Sequence, residues 1–187
     1  MRFIFTFMMC LIMAACATEG IKDINGQNYG KPVYTNISIE KSKVTLPAKL
    51  SQTITKIVHI GITQKYVEEI HMENGLSMYE YQYRGGFRIP VSDKDFQLIF
   101  NGHEVLGTPL QIPPWDLKVN KHDIKYAFFQ RPYMQCIAYS KGLGEKFMSQ
   151  GQWGQNALIY GTLCENGTKP DYPERALSLI KQIQSKL

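Results

Sequence analysis

The chain has 187 residues, of which 44% are apolar, 12% aromatic and 20% charged, a balance that fits one folded domain and excludes a disordered or collagen-like chain. The formal charge of +5 is a mild excess, carried by sixteen lysines and five arginines. Phosphate recognition favours the bidentate arginine fork, so nothing in the charge demands a nucleic acid partner.

In chain order, the first unit is residues 1–15. A single charge at Arg2 precedes an apolar run from Phe3 to Met13, about 11 residues, which has the form of an export signal. It is shorter than the ~20 residues that a membrane span needs. Ala15-Cys16-Ala17 satisfies the small-x-small rule of ordinary signal cleavage, with a mature chain from Thr18. Met13-Ala14-Ala15-Cys16 also resembles the lipobox of bacterial lipoprotein precursors, with Met13 where Leu is usual. Cysteine decides between the two, because a thioether-linked diacylglycerol needs a thiol and ordinary cleavage does not. The resemblance covers residues 1–17 and implies that Cys16 is acylated, becomes the new N-terminus and anchors the chain to a bilayer. Ala17 stands where enteric lipoproteins retained at the inner membrane carry aspartate, which points to the outer membrane, facing the periplasm or the surface.

Residues 16–36 follow, punctuated by Gly20, Gly26, Gly30 and Pro32 and without helix or strand spacing, and they read as a tether. A coil of ~20 residues has an end-to-end distance of about 25 Å. The remaining residues, 37–187, are expected to form one globular α+β domain with a largely antiparallel sheet and a C-terminal helix packed on it.

Within that domain Leu46 to Ile57 is ambiguous between helix and strand. Strand patterns run over Lys56–Thr63, Tyr66–Met72 and Leu76–Tyr83, and Asn74-Gly75 is expected to turn the second into the third, because both residues tolerate positive φ. The same logic predicts a second hairpin, with Phe96–Phe100 and His103–Leu106 joined by Asn101-Gly102. Arg84-Gly85-Gly86 turns the chain between the two hairpins. Pro109, Pro113 and Pro114 ahead of Trp115 mark a loop or edge. Strands are expected again at Ile124–Gln130, Tyr133–Ser140 and Ala157–Cys164. Asp171 and Pro173 open a final helix whose stripe is Ala176, Leu177, Ile180, Ile183 and Leu187.

Four cysteines reduce to two once Cys10 leaves with the signal and Cys16 carries lipid. An even remainder in an exported chain predicts a disulfide between Cys136 and Cys164. If their strands pair antiparallel with these residues opposed, Ala138 faces Thr162 and Ser140 faces Tyr160, and opposed Cα atoms fall within bonding range.

Lys141 to Asn156 is expected to be a glycine-jointed loop displaying Phe147, Met148 and Trp153, with Phe147 and Trp153 the candidate binding residues and tucking onto the sheet edge the alternative. Tyr79, Tyr81 and Tyr83 share a strand face by period two, a second candidate surface for a partner or glycan. No two of His59, His71, His103 and His122 stand at metal-ligand spacing, so neither a metal nor another cofactor is expected. No catalytic residues are assigned. His122-Asp123 reads as a turn, and the basic and aromatic residues from Lys118 to Arg131 read as a half-buried strand with solvated lysines. The expected function is a non-enzymatic envelope module that binds or scaffolds an envelope protein or glycan. The alternative is a small hydrolase or inhibitor acting on cell-wall or host glycans.

Overall fold

A computed structural model describes residues 32–62, 65–100, 104–105, 108–109, 116–149 and 152–187. The signal, Cys16, most of the tether, Asn101-Gly102, His103, Pro113, Pro114 and Trp115 lie outside the described residues. The strands are β1 (Val33–Ile37), β2 (Val44–Thr45), β3 (Ile54–Ile62), β4 (Lys65–Met72), β5 (Gly75–Gln82), β6 (Phe87–Arg88), β7 (Glu104–Val105), β8 (Thr108–Pro109), β9 (Lys118–Val119), β10 (Lys125–Arg131), β11 (Met134–Ser149), β12 (Gln152–Asn166) and β13 (Gln184–Ser185). The helices are α1 (Ala48–Ser51), α2 (Asp93–Phe100) and α3 (Tyr172–Gln182). Among the described residues no helix is long and apolar enough to cross a membrane.

The architecture is mostly antiparallel β with a C-terminal helix. A nine-stranded sheet runs β1-β3-β4-β5-β12-β11-β10-β9, with β6 beside β12. Alternation along its strands sorts side chains to two faces, and each face is covered. On one, Ile137, Tyr139, Ile159 and Tyr79 pack with Ala176 and Ile180 of α3. On the other, Ala138, Leu158 and Tyr160 pack with Val91 and with Phe96 and Phe100 of α2. The small pair β2–β13 ties the segment after β1 to the C-terminal tail.

Several expectations need correction. The sheet begins inside the proposed tether, since β1 pairs with β3 from Val33↔Gly61 to Ile37↔Ile57. Phe96–Phe100 is helical. Ser92 and Asp95 make the reason: the Asp95 N–H donates to Ser92 Oγ at 3.1 Å and the Ser92 hydroxyl donates back to the Asp95 carboxylate at 2.6 Å. This reciprocal cap starts a helix, and Phe96 and Phe100, four apart, then fall on its buried side. The Leu46–Ile57 ambiguity resolves into both structures, α1 followed by β3.

The β4–β5 turn is also displaced. Met72 pairs with Gly75, so Glu73-Asn74 is the turn and Gly75 is the first residue of β5. Neither Asn74 nor Gly75 takes positive φ. Glycine is required at 75 for space, because a Cβ there would lie 2.5 Å from the Thr162 carbonyl oxygen of β12. In α3, Pro173 sits in the first turn as expected and Ala176, Ile180 and the following Ile183 are buried. Leu187 is not part of the stripe: the helix stops at Gln182, and Leu187 is 40% exposed in the tail.

Candidate functional site

The register of β11 and β12 places Cys136 opposite Cys164, Ala138 opposite Thr162 and Ser140 opposite Tyr160, as the sequence predicts. The two sulfurs lie 2.02 Å apart, forming a disulfide. It clamps the hairpin at the end away from its turn.

The segment from Lys141 to Asn156 is not a loop. β11 and β12 continue through it with Lys146↔Gln155, Phe147↔Gly154, Met148↔Trp153 and Ser149↔Gln152. A bulge between Leu143 and Lys146 interrupts the ladder, and Gly144 occupies it at φ 76°, the left-handed conformation that glycine adopts without strain. The Glu145 N–H donates to Asn156 Oδ1 at 3.0 Å and holds the bulge closed. Gly142 and Gly154, which also suggested a loop, serve close packing. A Cβ at Gly142 would collide with Ile89 and Gln155, and one at Gly154 would lie 2.6 Å from the Phe147 ring.

The aromatic residues of this hairpin therefore divide. Phe147 is half-buried and lies over Gly86 and Gly154, the tucked arrangement. Trp153 is 60% exposed, and so is Met148 directly across the ladder, where opposed side chains project to the same face. The exposed cation Lys146, opposite Gln155, shares the face of the pair, whereas exposed Arg88, opposite Gly154, lies with Phe147 on the other face. Exposed Arg84 stands in the turn before β6.

The tyrosine stripe is only partly a surface. Tyr79 is fully buried, shares a hydrogen bond of 2.6 Å with Ser185 Oγ, and has its phenol pushed up to about 12 by burial. It is a core residue, because α3 and the tail cover that part of the face. Tyr81 is half-buried, and Tyr83 is exposed, with its ring edge-on to Tyr81 at 5.4 Å.

Sequence reading missed Glu68, whose side chain is fully buried on the same face. Three donors converge on it at 2.6 Å: the Ser42 hydroxyl on Oε2, and the Lys43 N–H and Tyr66 hydroxyl on Oε1. Burial, then the Glu68 carboxylate, raises the Tyr66 phenol above its ordinary range. The cluster reaches the tail, since Lys186 N–H donates to the Lys43 carbonyl at 2.8 Å and Lys186 Nζ to the Ser42 carbonyl at 2.9 Å. Period two carried the available signal: Tyr66, Glu68, Ile70 and Met72 alternate onto one face, and that face is the core.

Two lysines depart from the solvated role. Lys125 is buried and paired with Asp93 at the start of α2, correcting the expectation that it faces solvent. Lys141 Nζ donates to the carbonyls of Ile180, Lys181 and Ile183 at 3.2, 2.7 and 2.6 Å, capping the end of α3, and burial pushes its ammonium down to about 8. His122 and Asp123 do occupy a turn, with Asp123 at φ 57°. Among the described residues no three His, Cys, Asp or Glu side chains gather as metal ligands. No protein-family model matches the chain, and neither curated proteins nor solved structures provide a match.

Proposed function

We propose that the protein is a lipoprotein of the bacterial envelope, anchored through acylated Cys16 and more at home in the outer than the inner membrane, whose β domain is a non-enzymatic binding or scaffolding module. The observation that carries the binding role is the Met148–Trp153 pair. Large apolar side chains that remain exposed on a regular, disulfide-clamped hairpin are contact residues in waiting, because a preformed scaffold spends little ordering entropy on binding. The lipobox-like Met13-Ala14-Ala15-Cys16 supports the anchor, and the disulfide agrees with an oxidising compartment.

Mass spectrometry of the mature N-terminus tests the anchor: a diacylglycerol-modified Cys16 is expected, and an unmodified chain from Thr18 would refute it. Photo-crosslinking from position 148 in living cells tests the contact. A defined adduct, to protein or to lipid, that disappears in Trp153→Ala is expected; an adduct unaffected by that change removes the pair from the binding role.

A further inference from the structure

The register lines up one row across the sheet: Val33 opposite Gly61, Gly61 opposite Tyr66, Tyr66 opposite Tyr81, Tyr81 opposite Ala157, and Ala157 opposite Leu143. β1 runs away from this row, so the chain preceding Val33 arrives from the same end of the sheet. Past the row, β11 and β12 continue with β6 alongside, from Ala157 out to Gln152. Five residues at about 3.3 Å each carry the hairpin roughly 17 Å beyond the row. The exposed Met148–Trp153 pair rides on that extension.

The N-terminal attachment and the projecting hairpin thus share one end of the domain. Cys16 precedes Val33 by 17 residues, and any flexible chain of that length has a root-mean-square span of about 23 Å. That span is close to the projection of the hairpin. A lipid on Cys16 and the tip of the hairpin therefore reach the same plane without stretching the chain.

We propose that the occupant of the Met148–Trp153 surface is the bilayer itself, with the two side chains seated at the headgroup boundary, Lys146 on their face beside anionic headgroups and Arg88 on the other face of the same hairpin end. This rests on the lipoprotein reading, since a domain anchored elsewhere would not face the membrane with this end. Tryptophan suits the boundary because its ring is apolar and its N–H stays hydrated. The cations add attraction to acidic lipid within a Debye length of the surface. Acylation holds the protein on the membrane; the hairpin fixes which side of the domain looks away from it.

The test uses mature protein purified from bacterial membranes and reconstituted into protein-free vesicles of phosphatidylethanolamine with phosphatidylglycerol. Trp153 emission is isolated as the difference between the wild type and Trp153→Phe, which removes Trp115 from the measurement. Lipids brominated near the carbonyl are expected to quench roughly half of that emission, as for a ring at the interface, while aqueous iodide quenches little. Lys146→Glu with Arg88→Glu should lower the bromolipid quenching on acidic vesicles and not on neutral ones. Emission quenched by iodide and untouched by bromolipid overturns the inference while Cys16 is still found acylated. Protection from iodide that appears only in native envelope vesicles, and not in protein-free lipid, also overturns it and assigns the surface to a protein partner. An unmodified N-terminus at Thr18 overturns the underlying lipoprotein reading, and mass spectrometry distinguishes that failure from the other two.

Discussion

Replacing Glu68 should weaken the protein in proportion to the donors left without an acceptor. In Glu68→Leu the Ser42 hydroxyl, the Lys43 N–H and the Tyr66 hydroxyl all lose a partner at 2.6 Å inside a closed part of the fold. Each buried unpaired donor costs about 1–3 kcal/mol. Relief of the carboxylate's desolvation, several kcal/mol for a buried ion, offsets part of that sum. The net expectation is a loss of about 2–4 kcal/mol. Glu68→Gln should cost less, about 1–2 kcal/mol. Its amide oxygen can still accept from Lys43 and Tyr66, and the Ser42 hydroxyl can turn its proton toward the Val44 carbonyl at 3.4 Å while accepting from the amide. Urea unfolding supplies the free energies, and hydrogen exchange at the Lys43 amide reports the local bond. Glu68→Leu with wild-type stability, or a Lys43 amide equally protected in it, would refute the reading of Glu68 as the hub that holds the β2–β13 strap.

The disulfide spans a sequence separation of 28, so Cys136→Ala should cost roughly 3–4 kcal/mol on the chain-entropy account, measured by denaturant midpoint without reductant; a loss below about 1 kcal/mol would deny it a stabilising role. Phe147→Ala should lower stability by about 2–3 kcal/mol, because its ring covers Gly86 and Gly154, while Trp153→Ala should stay within about 0.5 kcal/mol; calorimetry showing the reverse order would exchange their roles. Lys141→Met should fray the end of α3, read as faster exchange of its last amides, because three carbonyls lose their donor. Burial holds Lys141 at about 8 when folded against 10.5 when unfolded, so the folded chain binds fewer protons in that window. Stability of the wild type relative to Lys141→Met should therefore rise as pH climbs from about 8 to 10.5, and a gap that narrows instead would contradict the shift.

Much of the fold was legible because local patterns here report local structure. The runs that became β3, β4, β5 and β10 carry strand composition, the stripe from Ala176 to Ile180 behind Pro173 marks α3, and the expected pairing of Cys136 with Cys164 led to the β11–β12 register. The start of α2 has a local signal that the hairpin expectation passed over, the Ser92-x-x-Asp95 cap. Tertiary structure alone decided the rest. Glycine in a sequence looks the same whether it opens a turn or admits a neighbour, and only the ring of Phe147 and the backbone of β12 show that Gly154 and Gly75 belong inside strands. Alternation likewise states which residues share a face and not what covers that face. α3 and the tail lie over Tyr79, the Ser42–Lys43 segment lies over Glu68, and this cover ends short of Tyr83, so one strand face supplies core at one end and exposed surface at the other. The elements over Tyr79 come from about a hundred residues away in the chain, and no periodicity within β4 or β5 could register their arrival.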